Sequence, residues 1–135
     1  MLKGGCINPE IMKAISLCGH GDQILIADGN YPLDAKTGGA QKVYLGLTAG
    51  VPEVTQVLET LLQNINVEKA EVMLPEDGST PEIFADFPRL LGGMALDGLD
   101  RWAFYGACCE PKVRLAISTG EKRVFANILL TVGVA

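Results

Sequence analysis

Only one histidine occurs in this chain, His20, and only one tryptophan, Trp102. A single imidazole, with no Cys-x-x-Cys spacing among four cysteines, lacks the ligand set of a structural zinc site, so no metal is expected. Cys6 and Cys18 stand far apart and Cys108 and Cys109 are adjacent, a pattern read as four reduced thiols rather than a disulfide framework. Basic residues are scattered and outnumbered, 11 against 16 acidic, for a net charge of −5. A phosphate-tracking surface needs lysine and arginine clusters, which excludes nucleic acid as the expected partner. No apolar run approaches the roughly 18 residues of a membrane span. The opening Met1-Leu2-Lys3-Gly4-Gly5-Cys6 holds no apolar core of signal-peptide length, so the expected location is cytoplasmic. What remains is 48% hydrophobic and 20% charged residues, the make-up of one packed domain over residues 1–135.

Asn8-Pro9-Glu10 is helix-start chemistry, a capping side chain followed by proline in the first turn. Ile11, Ala14, Ile15 and Cys18 follow at helical spacing, and Gly19 ends the element. Gln23 to Asp28 reads as a strand apolar on both faces, typical of sheets covered on both sides. A loop over 29–40 leads to a strand at Lys42–Leu47. A helix opening at Gly50-Val51-Pro52-Glu53 carries the core stripe Val54, Val57, Leu58, Leu61 and Leu62. A third strand covers Glu71–Leu74, with Val67 as its alternative start, and Thr80-Pro81-Glu82 begins another helical turn. Residues 88–100, rich in glycine, read as a connector. Trp102–Cys109 is expected to be helical. Val113–Ser118 is expected to be a strand with Val113, Leu115 and Ile117 inward, and Ile128–Val132 a last strand. Alternating helices and apolar strands predict an α/β domain with a mainly parallel sheet.

Candidate chemistry centres on Gly19-His20-Gly21-Asp22. Histidine is the side chain whose ordinary pKa, about 6.5, lets it give and take protons near neutrality. Flanking glycines remove Cβ bulk and admit a small molecule to the backbone. The alternative is a structural or solvated ring. Asp22 either hydrogen-bonds that ring or holds the Gly21 turn. Asp28 ends the following strand, where ligands of open α/β sheets bind, or else caps its own turn. About six residues of strand, roughly 20 Å when extended, separate His20 from Asp28. A direct contact within one subunit is therefore not expected, which favours an oligomer. Arg101 beside Asp100 reads as a surface ion pair, worth little. Asn127 heads an apolar strand, where an amide needs partners that a sugar hydroxyl can supply.

Four blocks in order carry a resemblance to the ribose pyranase and fucose mutarotase family. They are Pro9 with Gly19-His20-Gly21-Asp22 and Ala27-Asp28; Leu47-Thr48-Ala49-Gly50-Val51-Pro52 with Gln56-Val57-Leu58; Arg101-Trp102-Ala103-Phe104-Tyr105; and Thr119-Gly120-Glu121 with Ala126-Asn127-Ile128-Leu129-Leu130 and Gly133-Val134. The resemblance implies a three-layer α/β/α sandwich with a mainly parallel sheet, and a cofactor-free enzyme that interconverts ring and anomeric forms of a free sugar. It also implies a homo-oligomer, a decameric ring with active sites at subunit interfaces. By this resemblance His20 is the proton donor, while Asp28, Arg101, Phe125, Ala126 and Asn127 contact the monosaccharide. Tyr105 takes part as in the fucose branch. The block at 101–105 resembles fucose mutarotase and Leu47–Leu58 resembles ribose pyranase, so L-fucose is the expected substrate and D-ribose the alternative. Phe125 stands where most members have tyrosine. Asn66 and Glu68 are candidates for a neighbouring subunit's contribution. The rival readings are a non-catalytic sugar-binding accessory to a transporter or regulator, and a purely structural oligomer subunit.

Overall fold

The computed structural model describes residues 1–135. Six strands form one sheet in the order β2-β5-β1-β6-β3-β4: β1 (Gln23–Ala27), β2 (Gln41–Tyr44), β3 (Val67–Met73), β4 (Leu96–Leu99), β5 (Val113–Ser118) and β6 (Ile128–Val132). The pairings β1–β5, β2–β5 and β3–β4 are parallel, as expected for strands joined through helices. β6 is the exception, antiparallel to both β1 and β3 at the centre of the sheet. The expected mainly parallel sheet is thus present, with one reversed central strand.

Helix α1 (Pro9–Leu17) starts where Asn8 Oδ1 accepts the Ile11 N–H at 3.0 Å, a cap worth about 1 kcal/mol. It buries Ile11, Ala14 and Ile15. Helix α2 (Val54–Leu62) buries Val54, Val57, Leu58 and Leu61. Both helices, with a 3₁₀ turn (Glu82–Ala85) and α3 (Asp86–Leu90), cover one face of the sheet around a 21-residue core that includes Ile24, Ile26, Leu115, Ile117, Ile128 and Leu130. The opposite face is thinner. There α4 (Arg101–Cys108) and the loop through Tyr31, Leu33 and Ala40 pack on Leu25, Ala27, Met73, Ala116 and Leu129 in an 11-residue core. The three-layer α/β/α order follows from period-two alternation along β1, where every residue is buried. Each fully buried Leu or Ile contributes roughly 1.5–3 kcal/mol, so β1 is a rigid axis for whatever its two ends carry.

Three details depart from expectation. The supposed connector at 88–100 contains β4, a short edge strand whose residues are only half covered, so no apolar pattern marked it. Val113 does not share a face with Leu115 and Ile117. Gln23 pairs with Val113 while Ile24 pairs with Leu115, so Arg114 is an extra residue in the ladder, and this bulge turns Val113 to the α4 side. Ala116 is also buried, because the sheet is covered on both faces. No cysteine pairs with another; Cys108, the last residue of α4, is buried, and desolvation pushes its thiol up to about 12, so it packs as a neutral group.

Candidate active site

Reversal of β6 brings its first residues beside the last of β1. Asp28 N–H donates to Asn127 Oδ1 at 2.8 Å, and Asn127 Nδ2 donates to Asp28 Oδ2 at 3.3 Å. Asp28 Oδ2 also accepts the Ala126 N–H at 3.2 Å, and Oδ1 accepts the Asn30 N–H at 2.9 Å. Asp28 therefore caps its own turn and anchors the 125–127 segment at once. Burial nonetheless dominates its titration and raises its carboxyl above the usual range, against the hydrogen bonds to Asn30, Ala126, Tyr31 and Asn127 that lower it. Phe125 holds a left-handed backbone, φ 56°, unusual outside glycine. That turn delivers the Ala126 N–H to the carboxylate while Ala126 itself is fully buried.

Asp100 Oδ1 accepts the Ala103 N–H at 2.9 Å and caps α4, which spends this carboxylate on the backbone. Arg101 consequently forms no ion pair with Asp100 or any other carboxylate. Arg101 and Tyr105 stand one helical turn apart, on one face of α4. Tyr31 packs edge-on against Tyr105, ring centroids 5.5 Å apart, and donates its hydroxyl to the Lys36 carbonyl at 2.9 Å. Desolvation holds the Tyr31 hydroxyl far above its ordinary value, so it acts only as a neutral group. Asp28, Arg101, Tyr105, Phe125 and Asn127 line one cavity of about 250 Å³, completed by Asn30, Tyr31, Met73 and Val124. Its volume suits one small molecule, and its lining joins an apolar wall to a few convergent polar groups.

His20 lies at the other end of β1. Its turn is held by Gly19 N–H donating to Asp22 Oδ2 at 2.8 Å, so Asp22 serves the turn and not the ring. The ring instead meets Glu68, with Nε2 2.9 Å from Oε2. A second cavity of about 390 Å³, lined by residues including Cys18, His20, Asn66 and Gly133, opens there. His20 is thus solvent-accessible and beside a cleft, but the strand keeps it apart from Asp28 within one chain. The resemblance brought Asp28, Arg101, Tyr105, Phe125 and Asn127 to one place, while Ala126, fully buried, does not line the cavity. Asn30, Tyr31, Met73 and Val124 were missed, and nothing local marks their cavity-facing edges. Sequence reasoning offered Glu68, with Asn66, as a neighbouring subunit's contribution, whereas strand register sets Glu68 beside His20 of the same chain.

A family model described as the RbsD / FucU transport protein family matches residues 1–135. The chain is 33% identical over 134 residues to a D-ribose pyranase from Streptomyces coelicolor, covering 99% of this chain and 98% of that protein. The structure of Bacillus subtilis RbsD complexed with D-ribose superposes with a TM-score of 0.84 at 28% identity, covering 100% of this chain and 99% of that one. A fucose mutarotase in complex with L-fucose from Streptococcus pneumoniae superposes with a TM-score of 0.81 at 26% identity, over 96% of this chain and 94% of that one. With a family model matched over residues 1–135 and a relative 33% identical along nearly the whole length, this chain belongs to the RbsD / FucU family.

Proposed function

We propose that this protein is a monosaccharide mutarotase, an isomerase that opens and recloses the sugar ring, with L-fucose as substrate. The observation that carries the reading is the cavity where Asp28, Arg101, Tyr105 and Asn127 converge, in a chain whose relatives include a D-ribose pyranase and a fucose mutarotase. These groups suit an uncharged polyol. Arg101 keeps its guanidinium donors, and Asn127 keeps one amide N–H beyond the one given to Asp28. Met73, Val124 and Phe125 form an apolar wall that fits a deoxy-sugar methyl group, which favours L-fucose. D-Ribose is the second reading, favoured by the 33% identity to a D-ribose pyranase.

Anomer exchange moves two protons: one reaches the ring oxygen, one leaves the anomeric hydroxyl, and the ring C–O bond breaks to give the open-chain aldehyde. Rotation of the carbonyl face and the reverse transfers close the other anomer. The step is redox-neutral, so the reading calls for neither metal nor cofactor. His20 is the proposed proton donor and acceptor, a role typically worth about 10²–10⁴-fold. Tyr105 is the proposed second relay; Asp28, Arg101, Phe125 and Asn127 hold the sugar, and Ala126 fixes the Asp28 carboxylate through its N–H. Since β1 separates His20 from that cavity, the imidazole comes from a second copy of the chain, in a homo-oligomer that the family resemblance makes a decamer. Exposed Trp102 and Val124 at one site and Leu17 and Val134 near the other supply apolar rims for such a contact. The setting in this reading is the cytoplasm, where four cysteines with no framework spacing stay reduced.

Saturation-transfer NMR on L-fucose and D-ribose tests this reading. Accelerated anomer exchange that His20→Ala abolishes is the expected result, fastest on L-fucose. Tight sugar binding without acceleration would make the protein a non-catalytic accessory instead.

A further inference from the structure

His20 finds its only side-chain partner on another strand, 48 residues away, at Glu68 near the start of β3. A continuous path of backbone hydrogen bonds fixes the distance between them. Gly21 N–H donates to the Val132 carbonyl at 2.9 Å, Val132 N–H to the Asp22 carbonyl at 2.8 Å, and Gly133 N–H to the Asn66 carbonyl at 2.8 Å. The His20 turn is therefore tied to the end of β6, and the end of β6 to the segment entering β3. Gly133 is the residue that permits this approach, because a Cβ there would lie 3.3 Å from Glu68 Cβ, tighter than ordinary contact.

The two side chains are 57% and 45% exposed. A pair this wet contributes little to stability, on the order of 0–1 kcal/mol, so its energetic share in holding the fold is small. Its geometric consequence is larger. A carboxylate only accepts hydrogen bonds, so Nε2 must carry the hydrogen, and in the neutral ring Nδ1 is left bare. We infer that Glu68 is a positioning residue for His20: it selects the Nε2–H tautomer, locks the ring's orientation beside the cleft, and makes Nδ1 the nitrogen that exchanges the proton with substrate. Its carboxylate also faces the charge that the ring acquires on protonation. The catalytic consequence rests on the mutarotase reading; the tautomer assignment does not.

Because His20 is the sole histidine, a long-range ¹H–¹⁵N spectrum of uniformly labelled protein reports this one ring without assignment. In the native protein at a pH where the ring is neutral, the two nitrogens should show the well-separated signals of a single Nε2–H tautomer. Glu68→Ala should draw those signals together as the tautomers mix. Anomer exchange should fall about tenfold or more in kcat, part of the ~10²–10⁴ available to acid–base catalysis, with KM within about twofold. Glu68→Gln, whose Oε1 still accepts from Nε2–H, should keep the native ring spectrum and recover part of the rate. An unchanged ring spectrum in Glu68→Ala would overturn the inference, as would a raised KM without loss of kcat, or a Gln variant no better than Ala. A native protein that accelerates no sugar would refute the mutarotase reading alone, leaving the ring spectra to decide the pair.

Discussion

Asp28 and Asn127 bond to each other twice across the β1–β6 junction, backbone N–H to amide oxygen at 2.8 Å and amide nitrogen to carboxylate at 3.3 Å. Both are buried, and their reciprocal bonds merge the end of one strand and the start of its antiparallel neighbour into one rigid corner. A sugar held there meets groups whose rotamers are already fixed, which lowers the ordering cost of binding.

Asn127→Ala should therefore cost stability as well as affinity. It leaves the Asp28 N–H buried without an acceptor, a loss of about 1–3 kcal/mol. Denaturant unfolding should show that decrease at an unchanged slope, alongside weaker sugar binding by calorimetry. A variant with native stability would show that water replaces the amide.

Mixing inactive variants tests whether two chains share a site. The His20→Ala and Asp28→Asn variants should each fail to accelerate anomer exchange on their own. Co-refolded mixtures should regain activity, because some interfaces then pair an intact His20 with an intact Asp28 cavity. No recovery across all mixing ratios would place both residues in one chain's site and contradict the geometry of β1.

Arg123 ties the loop before β6 to its surroundings. Its Nε and Nη2 donate to the two Glu121 oxygens at 3.0 Å each, its Nη1 donates to Asp86 at 3.1 Å, and Glu121 Oε2 accepts the Val54 N–H at 3.3 Å. Burial by itself raises the Glu121 carboxyl, but the bonds from Arg123 and Val54 outweigh it and hold the carboxyl below its usual value. A depressed folded pKa means that the unfolded chain binds the proton more readily. The contribution is therefore present above the ordinary carboxylate value and lost as pH falls through the lower, folded one. Arg123→Ala strands a buried charge and should destabilise by roughly 3 kcal/mol at neutral pH. Melting curves from pH 7 to 3 should show the gap from native narrowing as Glu121 protonates; a constant gap would refute the assignment.

Phe125→Tyr adds a hydroxyl at the cavity mouth without changing the left-handed turn that sets Ala126 N–H on Asp28. One new hydrogen bond of about 0.5–1.5 kcal/mol should tighten sugar binding by roughly two- to tenfold, read as Kd by calorimetry. Equal or weaker binding would indicate that the ring edge faces away from the sugar.

Much of the fold was legible because its signals are local. Capping by Asn8, the helical stripe from Val54 to Leu61 and the doubly apolar β1 each state their element in the chain itself. β4 was not, since an edge strand buries too little to carry a pattern, and neither was the bulge at Arg114, which is a property of pairing.

For the site, the sequence alone determined the residue types: one imidazole between glycines, a carboxylate closing a strand, an arginine and tyrosine one helical turn apart, and an amide opening the last strand. Only the tertiary structure decided their company. It reversed β6 so that Asn127 meets Asp28, spent Asp100 on a helix cap so that Arg101 stays unpaired, and set Glu68 beside His20 through two strand pairings. Strand register and direction link residues that lie tens of positions apart, and no pattern within a short window of the chain encodes them.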